Sequence, residues 1–305
     1  MLWNEDQYNF PVKKVPITLV DGTRIPIDQG MHIVEAHTGI PLASTTESYN
    51  LIPVSDIINP ISQKIEEMFG KKDLMRGDIE TKTQVRNKCF FEFVAKFHNH
   101  TYDIDGLGKV IPQFNFRTSY NRTYRNNAMV GDFRSKCWNT LVSGEKYAHT
   151  YNKHTKGFSV SAFVDKVGRA LELMSGNKER YKHWYNTSLS RDDAVSLFRS
   201  TICKYQTKAT KETKTNDKML GILMENFDEE SRHLHGSGAY SSGWANIGSL
   251  WTAYNAATFW STHLKNTSTS KNPFAGIERR EQQVIKLLNS PEWKSLEGFS
   301  NEPVQ

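Results

Sequence analysis

Two extended runs separated by a polar turn constrain this chain more than any other feature. The runs are Val110–Tyr120 and Ala128–Leu141, and the turn between them is Asn121–Asn127. Consecutive extended segments joined by a short polar turn are typical of an antiparallel hairpin. The sequence therefore predicts a hairpin in the middle of the chain, with short turns connecting it to its neighbours.

Side-chain alternation within the hairpin predicts one buried face and one face in water. Phe114 and Phe116 share one parity, whereas Arg117 shares the other with Ser119. Because successive strand residues point to opposite faces, this alternation is typical of a half-buried antiparallel strand. The same argument for the next strand predicts that four residues lie together on the wet face: Arg117, Arg134, Lys136 and Trp138.

The rest of the chain predicts an α+β fold. Residues 1–155 are expected to be mostly β: short branched and proline-containing segments come first, and apolar residues at helical spacing in Ile57–Phe69 predict a short helix. Lys88–His98 reads as another strand, so an antiparallel β-meander is expected over residues 83–155. Apolar residues at helical spacing in Ser159–Leu173, Asp217–Leu234 and Ser249–Lys265 predict a helical half over residues 156–305. We expect the two parts to pack as one large domain, with residues 204–218 as a mobile basic linker.

Composition favours an intracellular protein with an anionic partner. The formal net charge is +6, which mildly favours nucleic acid or another anion. No apolar run approaches the roughly 18–20 residues that span a bilayer, and the N-terminus does not read as a signal peptide. Three widely spaced cysteines form no CxxC pair, so we expect reduced thiols, no membrane association and a cytoplasmic location.

Cations and flat rings alternate along the hairpin and its flank. Arginine can bind phosphate through two parallel hydrogen bonds, and tyrosine and tryptophan offer faces on which bases stack. The expected phosphate-binding residues are Arg117, Arg122, Arg125, Arg134, Lys136 and Lys146. The expected base-stacking residues are Tyr120, Tyr124 and Trp138. The alternative is that the rings belong to the core and the cations form an ordinary solvated surface.

Metal and catalytic chemistry receive less support from the sequence. His233 and His235 are two residues apart, a spacing that points two helical side chains in different directions. The adjacent acids Asp192 and Asp193 are explained by the first turn of a helix. No phosphate-binding loop, nucleophile elbow or dinucleotide fingerprint is present. We therefore expect no cofactor, no metal site and no catalytic residues.

Three sequence blocks resemble a phage/plasmid-like protein family of unknown function. They are HTGIPLASTTESYNLIP (His37–Pro53), the pair FRTSYN…FRSKCWNTLVSG, and SLWTAYNAATFWSTH (Ser249–His263), in matching order. The resemblance implies a mobile-element origin, with the host cell cytoplasm as location if a phage encodes the protein, and it supplies no known active site. The arrangement of a basic hairpin followed by helices is also similar to single-strand annealing proteins of the Rad52-like kind.

The leading hypothesis is a phage-type protein that binds, and anneals, single-stranded nucleic acid as a homo-oligomer without catalysis. DNA and RNA are both open. The alternative is a protein-binding module that inhibits a host defence or replication protein, with Tyr240 and Trp244 in the Gly/Ser-rich segment 236–248 as candidate contacts. The third hypothesis is a metal-dependent nuclease.

Overall fold

The computed structural model describes residues 2–17, 30–70, 77–104, 108–134, 139–141, 149–152, 154, 157–172, 177–207, 212–235, 247–264 and 275–298. These residues form α-helices and antiparallel sheets, which confirms the α+β class. The chain divides into two compact units, and each is described by itself.

The two units interleave along the sequence. The first consists of Met1–Thr101, Pro112–Gly131 and Glu145–Met174, and the second of Tyr102–Ile111, Asp132–Gly144 and Ser175–Gln305. The sequence places the division at residue 155 instead. That position is not a boundary of either unit, because the helix that follows it belongs to the first unit.

The first unit contains two sheets and two helices. The strands that lie in this unit or run into it are β1 (Val12–Pro16), β2 (Met31–Glu35), β3 (Pro41–Thr45), β4 (Ile79–Arg86), β5 (Phe90–Phe97), β7 (Gly108–Ser119), β8 (Asn126–Arg134) and β10 (His149–Asn152). The helices are α1 (Val54–Phe69) and α2 (Val160–Glu172).

The larger sheet has the order β10-β8-β7-β5-β4, which is the expected meander around the central hairpin. β5 pairs antiparallel with β7, and Phe93 faces Phe116 with ring centroids 6.2 Å apart. The odd-numbered residues of β5 share one apolar core with Phe114 and Phe116 of β7. The smaller sheet has the order β1-β2-β3.

Helix α1 covers the apolar face of this sheet. Ile57, Ile58, Ile61 and Ile65 recur at helical spacing and are buried in the same core as the sheet phenylalanines. The helix begins after Pro53, which offers no capping side chain. Instead, the Val54 amide donates a 3.0 Å hydrogen bond to a tyrosine hydroxyl from the end of β7, that of Tyr120.

Strand β7 is buried on both faces, so the predicted wet face is wrong for this strand. The polar residues of odd parity, Gln113, Asn115, Arg117 and Ser119, are each at most 8% exposed. A central strand with neighbours on both sides can hide polar side chains if each finds a partner. Arg117 does so through its Nε, which donates to Glu92 Oε1 at 2.7 Å.

The second unit is mainly helical. Its helices are α3 (Asn177–Asn186), α4 (Arg191–Ser200), α5 (Asp217–His235), α6 (Leu250–His263), α7 (Ala275–Leu288) and α8 (Pro291–Glu297). Its strands are β6 (Tyr102–Ile104), β9 (Asn139–Leu141), β11 (Ser188–Ser190), β12 (Lys204–Gln206), β13 (Thr213–Thr215) and β14 (Ile247–Ser249). β6 pairs with the beginning of β7, and β9 pairs with the end of β8.

Helix α6 is the centre of this unit, as its apolar sequence predicts. Its residues are buried on almost every side, and the largest are Trp251, Tyr254 and Trp260. Ser249 begins the helix with a capping box: its backbone amide donates to Thr252 Oγ1 at 2.6 Å, and its Oγ accepts from the Thr252 amide at 3.3 Å. This cap supplies partners for amides that would otherwise be buried without one.

The segment predicted as a mobile basic linker contains regular structure. Lys204–Gln206 pairs antiparallel with Thr213–Thr215, and helix α5 begins at Asp217. The low apolar content that suggested a linker instead reflects exposure of both strands. Residues 208–211 lie outside the described part of the chain.

Two further observations concern the expectations from composition. Among the described helices, none is long and apolar enough to cross a membrane. Cys89 and Cys203 are buried free thiols, whereas Cys137 lies outside the described residues.

A carboxylate without solvent contact lies in the second unit. Asp132 on β8 is fully buried, and its Oδ2 accepts hydrogen bonds from Tyr181 at 2.8 Å and from Asn177 at 2.9 Å. Burial disfavours the charged form more than these donors favour it, so the pKa of Asp132 is raised to about 6.

This raised pKa predicts a pH-dependent effect of Asp132→Asn on stability. A carboxyl group whose pKa is higher in the folded state stabilises the fold fully below about pH 4, and this contribution is lost as pH rises through 6. A shift of about two units corresponds to roughly 3 kcal/mol. Asparagine keeps an accepting oxygen and cannot ionise. The difference in unfolding free energy between the variant and the native protein should therefore shift in favour of the variant by about 2–3 kcal/mol as pH rises from 4.5 to 7.5.

Urea unfolding at several pH values measures this difference directly. A gap between variant and native protein that stays constant across the range would contradict the assignment.

Candidate functional site

The turn between β7 and β8 is held by side chains that precede it. Ser119 Oγ accepts from the Tyr124 amide at 2.8 Å, and Asn121 Oδ1 accepts from the Thr123 amide at 3.1 Å. The second bond is an Asx turn, the local structure that asparagine favours. The turn is therefore fixed from two sides before any ligand binds.

Arg122, at the tip of this turn, has a left-handed backbone. Its φ is +62°, a value that few residues other than glycine adopt. Such a conformation costs on the order of 1–3 kcal/mol and persists only where the surrounding structure holds it. The surrounding hydrogen bonds overcome that cost and hold the arginine in place.

A second turn faces the first within the same unit. It spans residues 46–49, and the Tyr49 amide donates to the Thr46 carbonyl at 3.1 Å. Lys14 Nζ donates to the carbonyls of Glu47 and Tyr49 at 2.7 and 2.9 Å. The Tyr49 hydroxyl reaches the Ser119 carbonyl at 3.4 Å, which connects this turn to the end of β7.

His154 contacts both turns. Its Nε2 is 3.0 Å from the Tyr124 carbonyl, and its ring stacks on Tyr49 with centroids 5.0 Å apart and planes inclined by 28°. The His154 carbonyl also accepts from the Asn50 amide at 3.2 Å. Three separate segments of the sequence are thereby brought to one place.

These segments enclose a cavity of about 310 Å³. Its lining combines two cations, two hydroxyl side chains and three aromatic rings: Arg122, Arg125, Thr46, Ser48, Tyr49, Tyr124 and His154. Thr46 and Ser48 are hydrogen-bonded to each other at 3.0 Å.

The electrostatics of the cavity favour an anion. Arg122 and Arg125 are both exposed, and within the described part of the chain neither makes an ion pair or a hydrogen bond. Burial lowers the pKa of His154, so its imidazole is mainly neutral at pH 7, and burial also raises the pKa of Tyr49. The positive charge of the cavity therefore comes from the two arginines.

Three residues expected to bind nucleic acid are buried and make contacts within the protein instead. Arg117 is buried and paired with Glu92. Tyr120 is 3% exposed, and its hydroxyl accepts the first amide of α1. Tyr124 is 1% exposed, with its ring 4.9 Å from that of Phe90. The expectation that these two tyrosines stack bases on a surface is corrected, because their rings are packed inside the protein.

The other expected residues fall into two groups. Arg122 and Arg125 lie together at the cavity. The backbone of Arg134 belongs to β8, whereas Lys136, Trp138, Lys146 and the proposed protein-contact residues Tyr240 and Trp244 lie outside the described residues. The side chain of Arg134 is also outside the description.

Sequence reasoning missed four cavity residues: Thr46, Ser48, Tyr49 and His154. The first three lie in the block His37–Pro53 that carries the family resemblance, which was the available signal. His154 had none, because its role depends on a contact with Tyr49 more than 100 positions earlier. Among the described residues, no group of three or more His, Cys, Asp or Glu side chains could hold a metal ion.

Comparison with known proteins identifies one family. The model of the family described as "Domain of unknown function (DUF932)" matches residues 41–290, a span that contains every cavity residue. No match is found among curated proteins or among solved structures.

The strained turn predicts opposite effects of glycine at its two arginines. At position 122, glycine relieves the left-handed strain, so Arg122→Gly should be about 1 kcal/mol more stable than Arg122→Ala. Arg125 has no positive φ, so Arg125→Gly should be about 0.5–1 kcal/mol less stable than Arg125→Ala. Denaturant unfolding of the four variants checks this reversal. If the stability difference between the glycine and alanine variants has the same sign at both positions, the strain at Arg122 is contradicted.

Proposed function

The chain belongs to the DUF932 family, and we propose that it binds single-stranded nucleic acid without catalysis. In this proposal Arg122 and Arg125 hold the phosphate groups of the strand. The observation that carries the proposal is the cavity itself. Two exposed arginines, with no ion pair or hydrogen bond to any described residue, line a concave site that also offers hydroxyl and imidazole groups.

Unpaired arginines suit a phosphate ligand for a physical reason. A guanidinium presents a planar set of donors that matches two phosphate oxygens, and charge-assisted bonds of this kind are stronger than neutral ones. A guanidinium already paired with a carboxylate, as in Arg117, would have to break that bond first. Only Arg122 and Arg125 are therefore proposed as phosphate ligands within the described residues.

The shape of the site supports a single strand over a duplex. A concave cavity can admit a base or sugar only after that group leaves the stacked helix. Unstacking costs several kcal/mol in a duplex and least in a strand that is already unpaired. The formal net charge of +6 is in the direction that steers a polyanion to the protein.

Other parts of the proposal rest on the sequence. Sequence alone also predicts nucleic-acid contacts at Arg134, Lys136, Trp138 and Lys146. The resemblance and the composition also predict a phage or plasmid origin, a homo-oligomeric annealing assembly of the Rad52-like kind and a cytoplasmic location.

Removal of both arginine side chains tests the proposal. Each hydrogen bond to a charged group contributes about 1.5–3 kcal/mol, so Arg122→Ala/Arg125→Ala should weaken single-strand binding by on the order of 100-fold. Loss of two phosphate contacts should also reduce the slope of log affinity against log salt by about 1.4. Fluorescence anisotropy across a salt series measures both quantities.

The matched control is Lys166→Ala/Arg169→Ala on α2, which removes two exposed cations from the same unit. It should leave affinity and salt slope nearly unchanged. If both double variants lose affinity equally, the binding is a general charge effect and the proposed site is wrong.

A further inference from the structure

The hydrogen bonds of His154 define what each of its ring nitrogens can do. Nε2 lies 3.0 Å from the Tyr124 carbonyl oxygen. A carbonyl oxygen only accepts, so Nε2 must carry the proton and donate. In a neutral imidazole the other nitrogen, Nδ1, is then an acceptor.

Burial favours the neutral form of this ring more than the hydrogen bond to the Tyr124 carbonyl favours the charged form. Burial lowers the pKa of His154, and the charged groups that line the cavity with it are the cations Arg122 and Arg125. Tyr49, which stacks on the ring from the 46–49 turn, is neutral because burial raises its pKa. Within the described residues, Nδ1 has no hydrogen-bond partner.

A hydrogen-bond acceptor in an anion-binding site favours ligands that carry a donor group as well as a phosphate. Every oxygen of a phosphodiester is itself an acceptor, so Nδ1 of neutral His154 cannot bond to it. The nitrogen can accept only from an N–H or O–H group. Each nucleobase carries such a donor on its edge, and ribose carries hydroxyls.

The size of the cavity agrees with this requirement. A volume of about 310 Å³ equals the liquid volume of about ten water molecules. That space exceeds the needs of one phosphate group and lies at the lower end of the range for small organic ligands, about 300–1,000 Å³.

We infer that the cavity receives one whole nucleotide unit, with its phosphate on Arg122 and Arg125 and an N–H donor of its base on Nδ1 of His154. This inference rests on the proposed function and names the chemistry of the ligand at that site. The unit can belong to a strand or be a free nucleotide, and His154 is the residue that distinguishes it from phosphate alone.

The test compares a 12-residue oligothymidylate with an abasic phosphodiester of equal length. Thymine carries one N–H donor on its edge, and neither it nor a phosphodiester titrates between pH 5.5 and 7.5. The native protein at pH 7.5 should bind oligothymidylate about tenfold more tightly, the effect of one net hydrogen bond. Thymidine monophosphate as a third ligand shows whether a free nucleotide is sufficient.

His154→Phe removes the Nδ1 acceptor without introducing another, and it keeps an aromatic ring that can stack on Tyr49. This variant should bind both oligomers with equal affinity. In the native protein, the preference should fall as pH is lowered through the pKa of His154, since protonation of Nδ1 removes the acceptor. This second measurement needs no variant.

The failures of the two proposals are distinguishable. If binding requires both arginines but the abasic oligomer binds the native protein as well as oligothymidylate does, the inference about His154 is overturned and the proposed function stands. The same conclusion follows if His154→Phe keeps the preference, or if acidification strengthens it. If oligothymidylate binds equally well without the two arginines, the proposed function itself fails.

Discussion

The double burial of strand β7 is the constraint on which the candidate site depends. A strand with no solvent on either face must find a protein partner for each polar group. Glu92 supplies one for Arg117, and the Val54 amide supplies one for Tyr120. Ser119 at the end of the strand is fully buried and uses the Tyr124 amide. That last bond folds the chain back immediately and creates the turn.

The turn is fixed in part by groups packed in the core, and it carries two exposed charged side chains. Because Ser119 and Asn121 hold the backbone, Arg122 is kept in a left-handed conformation that it would not adopt alone. Tyr124 remains inside, while Arg122 and Arg125 on either side of it point to solvent. A preformed arrangement of this kind saves the ligand the entropy cost of ordering the loop. This is the physical basis of the proposed phosphate site.

The sequence predicted the periodic parts of the structure and missed those that depend on distant contacts. The alternation of phenylalanines in β5 and β7 and the isoleucine stripe of α1 are local signals, and the structure has these elements. The wet face of β7 was wrong because alternation of polar and apolar residues does not reveal that the polar side chains are also buried. Burial of Arg117 depends on Glu92, which lies 25 residues away.

The candidate site illustrates the same limit. Arg122 and Arg125 were identified from local charge, and Asn121 is a recognisable turn residue. Their neighbours Tyr49 and His154 are joined only by the fold, through a ring stack between segments that no local pattern connects. Residues 204–218 read as a linker because strand pairing in an exposed hairpin leaves little apolar signal.

The most direct test of the central claim is photo-crosslinking of a single-stranded oligonucleotide that carries 4-thiothymidine, followed by mass spectrometry of the peptides. The proposal predicts crosslinks in peptides that contain residues 46–49, residues 120–125 or His154. Crosslinks confined to other parts of the chain, with these three segments unmodified, would contradict the assignment of the cavity as the nucleic-acid site.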